Sequence, residues 1–266
     1  MAFDNVYWDQ RELAEASKSV SILAIGDSWF WYPFPGGSLL NALGPLVKPK
    51  AHTILAFGNN GAEAFDYVSG VYRDSVETGL RFHGAGLSAV FVSGGGNDFA
   101  GFNDLSPMLK LDCSSITTAR GCYTPGNAAG TLGWVMDGAQ ESLDALINMV
   151  FVAAPAAVKI FLHNYDYAVP SGKGVFSSNG AWLKPALVHA GVRASLHREC
   201  IKYLINQFTR RLENLQAAYP GRVILIDSRD TLADADWANE LHPNAAGFKK
   251  IARQRWLPLL TAEGLA

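Results

Sequence analysis

Five short apolar runs restrict this fold more than any other feature of the chain. They are residues 20–25 (VSILAI), 52–57 (HTILAF), 87–92 (LSAVFV), 158–163 (VKIFLH) and 222–227 (RVILID). Each has strand length, and helix-length segments separate them. Strands that are apolar nearly throughout, rather than alternating, are covered on both faces, and that arrangement belongs to parallel sheets. The expectation is an α/β fold: a three-layer α/β/α sandwich on a five-stranded parallel, flavodoxin-like sheet.

Helical spacing is read over 9–19, 38–46, 62–82, 131–153, 193–218 and about 245–260. Two segments lack clear periodicity, 99–130 and 164–184. They are read as insertions in a single domain spanning 1–266, forming cleft walls and candidate lids, since long aperiodic segments in compact domains tend to be functional. Internal repeats are absent.

Composition narrows the function classes. The chain has 266 residues, 49% hydrophobic, enough for one well-buried α/β core. Lys+Arg 22 against Asp+Glu 24 leaves a net charge of −2, which argues against nucleic acid as the main partner. No apolar run reaches the ~18 residues of a membrane span. The start, MAFDNVYWDQRE, has neither a basic n-region nor an apolar h-region and does not read as a signal peptide. The compartment is therefore open, cytoplasmic by default, and oligomeric state is not legible.

Cys113 and Cys122 flank a polar loop. Two readings stand: a small disulfide ring worth about 2–3 kcal/mol on the loop-entropy model, or two free thiols. Cys200 falls on a helical apolar face and is expected to be buried. Without a C-x-x-C pair, thiolate zinc is not expected.

Every chemically suggestive cluster lies just after a strand, on the carboxyl edge where open α/β sheets bind ligands. Gly26-Asp27-Ser28 follows the first run, Gly58-Asn59-Asn60-Gly61 the second, and Gly94-Gly95-Gly96-Asn97-Asp98 the third; His242 follows the fifth after a loop. Alone, each reads as a turn or a helix start. Their order resembles the SGNH (GDSL-like) hydrolases. Ser28 in AIGDSW matches the first block, where Leu is more usual than Trp29. Gly61 in FGNNGAEA matches the second block, with Gly58 as its upstream partner. Asn97 in GGGNDF matches the third and His242 in NELHPN the last. The resemblance covers about 20–251.

That resemblance implies a carboxylic ester hydrolase of the lipase or esterase kind. Ser28 would be the nucleophile and His242 the base. The Ser28 and Gly61 backbone N–H groups and the Asn97 amide would hold the oxyanion. No cofactor is implied. The partner is a small-molecule, lipid or carbohydrate ester; short-chain acyl or acetyl esters come first.

One departure stands out. The family's Asp three residues before the His is Asn239 here. Asn239 itself, Asp236, Glu240 or a backbone carbonyl remain as the group that orients His242. A catalytically silent module that only binds an ester or glycan is the alternative function.

Among other residues, the aromatic run Trp29, Phe30, Trp31, Tyr32 and Phe34 is divided between core packing and a pocket wall. His163, Tyr165 and Asp166 close the fourth run, also on the active edge; Asp166 is read as a structural turn, with substrate contact or a distant carboxylate as the alternative, and His163 with Asp166 gives too few ligands for a metal site. His52, His83, His189 and His197 have no assignable partner in sequence. GNNGAE lacks the Lys-Ser/Thr of a phosphate loop.

Overall fold

The computed structural model describes residues 5–31, 37–175 and 180–266. Among the described residues, six strands form one parallel sheet: β1 (Val6–Tyr7), β2 (Ile22–Gly26), β3 (Ile54–Gly58), β4 (Ala89–Ser93), β5 (Lys159–His163) and β6 (Val223–Ile226). Their order is β1-β3-β2-β4-β5-β6, and every pairing is parallel. The five long strands keep the flavodoxin-like order. The count of five is corrected to six: β1 adds two residues at the edge, pairing Val6 with Ile54 and Tyr7 with Leu55. Two residues are too few to carry a periodic signal.

The helices are α1 (Gln10–Glu15), α2 (Leu39–Val47), α3 (Arg73–His83), α4 (Phe102–Met108), α5 (Ala119–Cys122), α6 (Leu132–Ala153), α7 (Leu183–His189), α8 (His197–Ala218), α9 (Ala245–Ile251) and α10 (Leu257–Ala262). The strands are apolar because both faces are covered: β2 and β4 are buried along their whole length. Phe91, Phe161 and Trp256 make the aromatic centre of one face, with Phe30 against Trp256. On the other, α6 and α8 pack together, placing the fully buried Phe208 beneath the loop after β4.

Some expected elements differ. Helical spacing over 62–82 resolves into a 3-10 turn, Ala64–Tyr67, and then α3. The Asp66 carboxylate accepts from the Glu63 N–H at 3.0 Å, and the Asp66 carbonyl takes the Tyr72 N–H, which closes the first turn. The segment 99–130 is built rather than loose. It holds α4, α5 and an antiparallel bridge between Leu109 and Tyr123, with Leu105, Met108 and Tyr123 buried. All three cysteines are free and buried, so the ring between Cys113 and Cys122 is not formed. The Cys113 thiol instead points at the Cys122 carbonyl, 3.5 Å away.

Chain order explains where the site lies. From β2 the chain passes to β3 on one side and then to β4 on the other. The crevice between the carboxyl ends of β2 and β4 is thus the topological switch point of the sheet, the usual place for a ligand.

Candidate active site

β2 ends at Gly26, and the Asp27 N–H still donates to the Ser93 carbonyl of β4 at 2.8 Å. The chain then turns. The Asp27 carboxylate accepts from the Trp29 N–H at 2.9 Å, an Asx turn that lifts Ser28 out at the sheet edge. Ser28 Oγ lies 2.8 Å from Nε2 of His242, although 214 residues separate them.

The other face of the imidazole meets Asn239. Its Oδ1 sits 3.1 Å from Nδ1. The same oxygen accepts the backbone N–H groups of Leu241 at 3.0 Å and His242 at 2.9 Å. Two donors therefore fix which atom of the Asn amide faces the ring. A carbonyl oxygen has no proton to give, so Nδ1 carries the hydrogen. Nε2 is then the lone-pair nitrogen, and the Ser28 hydroxyl donates to it. Burial lowers the His242 pKa to about 3, through desolvation of its cation.

The competing carboxylates are occupied elsewhere. Asp236 pairs with Lys250 at 3.0 Å and accepts the Ala233 N–H. Glu240, fully buried, accepts four backbone N–H groups: Gly172, Trp182 and Leu183, each at 2.7 Å, and Lys184 at 3.2 Å. Glu240 thereby caps α7 and ties the segment after β5 to the His242 turn, where a negative charge suits a helix start. Of the groups weighed from sequence, Asn239 is the one at the ring.

Asn97 sits on the loop after β4. One of its two amide hydrogens goes to the Ala62 carbonyl at 2.9 Å, and the side chain lines the crevice. Gly61, after β3, is exposed with φ of +74°. An added Cβ would meet nothing within 4 Å, so glycine is required by conformation and not by crowding. Of the glycines before Asn97, Gly95 and Gly96 are crowded: a Cβ on Gly95, whose φ is +100°, would lie 2.8 Å from the Phe208 ring.

Ser28 and Asn97 open onto a cleft of about 460 Å³. Its walls are mostly apolar: Trp29, Phe99, Leu183, Ile201, Leu204 and Trp237 among them. Trp29 is the hinge of this wall. Its indole N–H donates to the Leu241 carbonyl at 2.9 Å, and its ring meets Tyr165, Trp237 and Phe248 edge-on. One side chain therefore joins the residue after Ser28 to the residue before His242. Phe30 is core and Trp31 is partly exposed; Tyr32 and Phe34 lie outside the described residues, as do 176–179 of the second insertion.

Residues read as structural have structural partners. His163 bridges Ser93 Oγ at 3.1 Å and Ser228 Oγ at 2.8 Å, and burial lowers its pKa to about 3. The Asp166 carboxylate accepts from the N–H groups of Tyr167, Thr231 and Leu232. His52 meets Ser21 Oγ and His197 the Val192 carbonyl. The α8 side chains Ile201, Leu204 and Ile205 and the ring of Trp237 escaped the sequence reading. An apolar stripe on a helix looks the same whether it faces core or cleft.

This parallel sheet, with Ser, Gly, Asn and His loops gathered at its switch point, is the SGNH-hydrolase fold. Solved structures that the chain resembles include a candidate SGNH hydrolase from Slackia heliotrinireducens (TM-score 0.53, 11% identity, 94% of this chain and 100% of that one). Another is an extracellular lipase from Streptomyces rimosus (0.52, 16%, 92% and 100%). A third is LAE5, an α/β hydrolase enzyme from the metagenome of Lake Arreo, Spain (0.51, 16%, 93% and 97%). No protein-family model and no curated protein matches the sequence.

Among the described residues, no helix is long and apolar enough to cross a membrane.

Proposed function

We propose that the protein is a serine ester hydrolase that cleaves short-chain carboxylic esters through an acyl-serine intermediate. The observation that carries this reading is the 2.8 Å contact between Ser28 Oγ and His242 Nε2 at the mouth of an apolar cleft. Ser28 Oγ attacks the ester carbonyl as its proton passes to Nε2. The Asn97 amide and the Gly61 and Ser28 N–H groups receive the negative oxygen. The tetrahedral species collapses, the imidazolium protonates the departing alkoxide, and the acyl group stays on Ser28. Water, deprotonated at Nε2, then releases the acid and restores the hydroxyl. No step calls on a cofactor.

Asn239 favours one second reading, a catalytically silent module that holds an ester or glycan. A neutral amide orients the imidazole but does not stabilise its cation. A fluorophosphonate probe and p-nitrophenyl esters from acetate to decanoate separate the two. Hydrolase activity predicts labelling and turnover that vanish in Ser28→Ala and His242→Ala, a preference for the shortest chains, and a loss of about 10²–10³ in kcat for Asn97→Ala. Absence of Ser28-dependent labelling and turnover would overturn the hydrolase reading.

A further inference from the structure

We infer that Tyr165 is a positioning residue that holds the nucleophile turn and the oxyanion loop in register; the inference rests on the ester-hydrolase reading. Tyr165 lies just beyond β5, outside the four motif blocks, and is buried. Its hydroxyl oxygen accepts the Gly96 N–H at 3.1 Å and donates its hydrogen to Asp27 Oδ2 at 2.5 Å. The second Asp27 oxygen accepts the Trp29 N–H at 2.9 Å. One phenol therefore links the residue before Asn97 to the residue before Ser28.

The ladder between β2 and β4 stops at Gly26 and Ser93, followed by the Asp27 N–H on the Ser93 carbonyl. Past that point the two loops diverge, and the hydroxyl spans the gap. A short bond from a phenol to a carboxylate is charge-assisted and strong. The ring is itself held: Trp29 meets it edge-on at 5.1 Å and Phe208 stacks on it at 5.8 Å. Gly96 completes the fit, because a Cβ there would lie 2.8 Å from Tyr165 Cζ. Removing the hydroxyl leaves two buried polar groups unpaired on opposite sides of the reaction centre, where a misplacement of about 1 Å costs on the order of 10² in rate.

Tyr165→Phe keeps the ring and deletes the bridge. With p-nitrophenyl acetate, kcat should fall about 10- to 100-fold while KM stays within about twofold, because Tyr165→Phe keeps the ring that lines the cleft. In an Asn97→Ala background the same substitution should have a much smaller effect, since the group it positions is gone. A merely structural tyrosine would lower Tm and give the same fractional loss in both backgrounds. Should Tyr165→Phe not fold, Asp27→Ala removes the acceptor at the other end of the bridge, and an unchanged kcat there overturns the inference. Wild-type turnover with an unaltered kcat in Tyr165→Phe overturns the inference alone. Absence of Ser28-dependent turnover in the wild type overturns it together with the hydrolase reading.

Discussion

Asn239→Asp asks whether charge, beyond orientation, limits this site. The substitution is nearly isosteric. It puts a carboxylate oxygen 3.1 Å from Nδ1, where the amide oxygen now sits, and the N–H groups of Leu241 and His242 are already aimed at that oxygen. Orientation and tautomer should therefore survive. In a serine-protease triad the reverse change costs about 10⁴, in part because the tautomer is lost. Here only the charge changes. Unit charges about 4 Å apart attract by about 4 kcal/mol at an effective dielectric of 20, or about 10³ in rate. Burying a new carboxylate offsets part of this, and the two waiting donors recover some. The net expectation is a rise of about 10²-fold in kcat. The pH profile supplies a second readout. The wild-type His242 stays unprotonated down to about pH 3, so its acid limb in kcat/KM lies near there. The new carboxylate favours the cation, moving that limb upward. The assay is p-nitrophenyl acetate hydrolysis from pH 3.5 to 8, with folding checked by circular dichroism. A folded variant whose kcat is unchanged and whose His242 limb has not moved would refute the reasoning.

Three further predictions follow from side chains around the site. Glu240→Leu leaves four backbone N–H groups without their acceptor, three at the start of α7 and one at Gly172; at about 1–3 kcal/mol for each unpaired group, and less than additive, urea unfolding should show a loss of about 3–5 kcal/mol. The three thiols are buried, and burial pushes Cys113 up to about 11 and raises Cys200; a thiol reagent at pH 8 should therefore count none in the native protein and three in urea without reductant, whereas one in urea would mean a disulfide. Asp98 is raised to about 7, first by burial and then by the nearby Glu63, so the folded state holds a proton that the unfolded state releases near its ordinary pKa of 3.8. The resulting penalty is absent below pH 3.8 and complete above about 7. Asp98→Asn, which still offers an acceptor to the Ala64 N–H, should be more stabilising at pH 8 than at pH 4, by about 1–2 kcal/mol because the carboxyl also borders an open groove.

Much of the fold was written locally. Ile22 to Gly26 and Ala89 to Ser93 are apolar because each strand lies between two helical layers, and that pattern survives in one dimension. The motif residues were legible for the same reason: Ser28, Gly61 and Asn97 each follow a strand directly, so parallel pairing brings them to one edge. What α8 presents to the cleft was not legible, because Ile201, Leu204 and Ile205 belong to the same stripe as the core residues Phe208 and Leu212. Nor was the division of labour between two adjacent residues. Asn239 and Glu240 are both polar, both buried and one bond apart, yet one faces the imidazole and the other a helix start.

The sequence by itself determined the parallel α/β architecture, the carboxyl-edge placement of the motif loops and the absence of the expected Asp at position 239. These rest on periodicity and on residue identity. The tertiary structure alone decided that Asn239 turns its oxygen to Nδ1, that Cys113 and Cys122 stay apart, that Trp29 joins the Ser28 and His242 turns, and that Tyr165 bridges Asp27 and Gly96. The last two depend on the approach of segments far apart in the chain, 138 residues in the case of the Tyr165–Asp27 bond; the first two turn on side-chain orientation within short segments, which residue identity does not fix. Burial fixes such contacts because a polar atom removed from water must find its partner among whatever atoms the packing brings within about 3 Å.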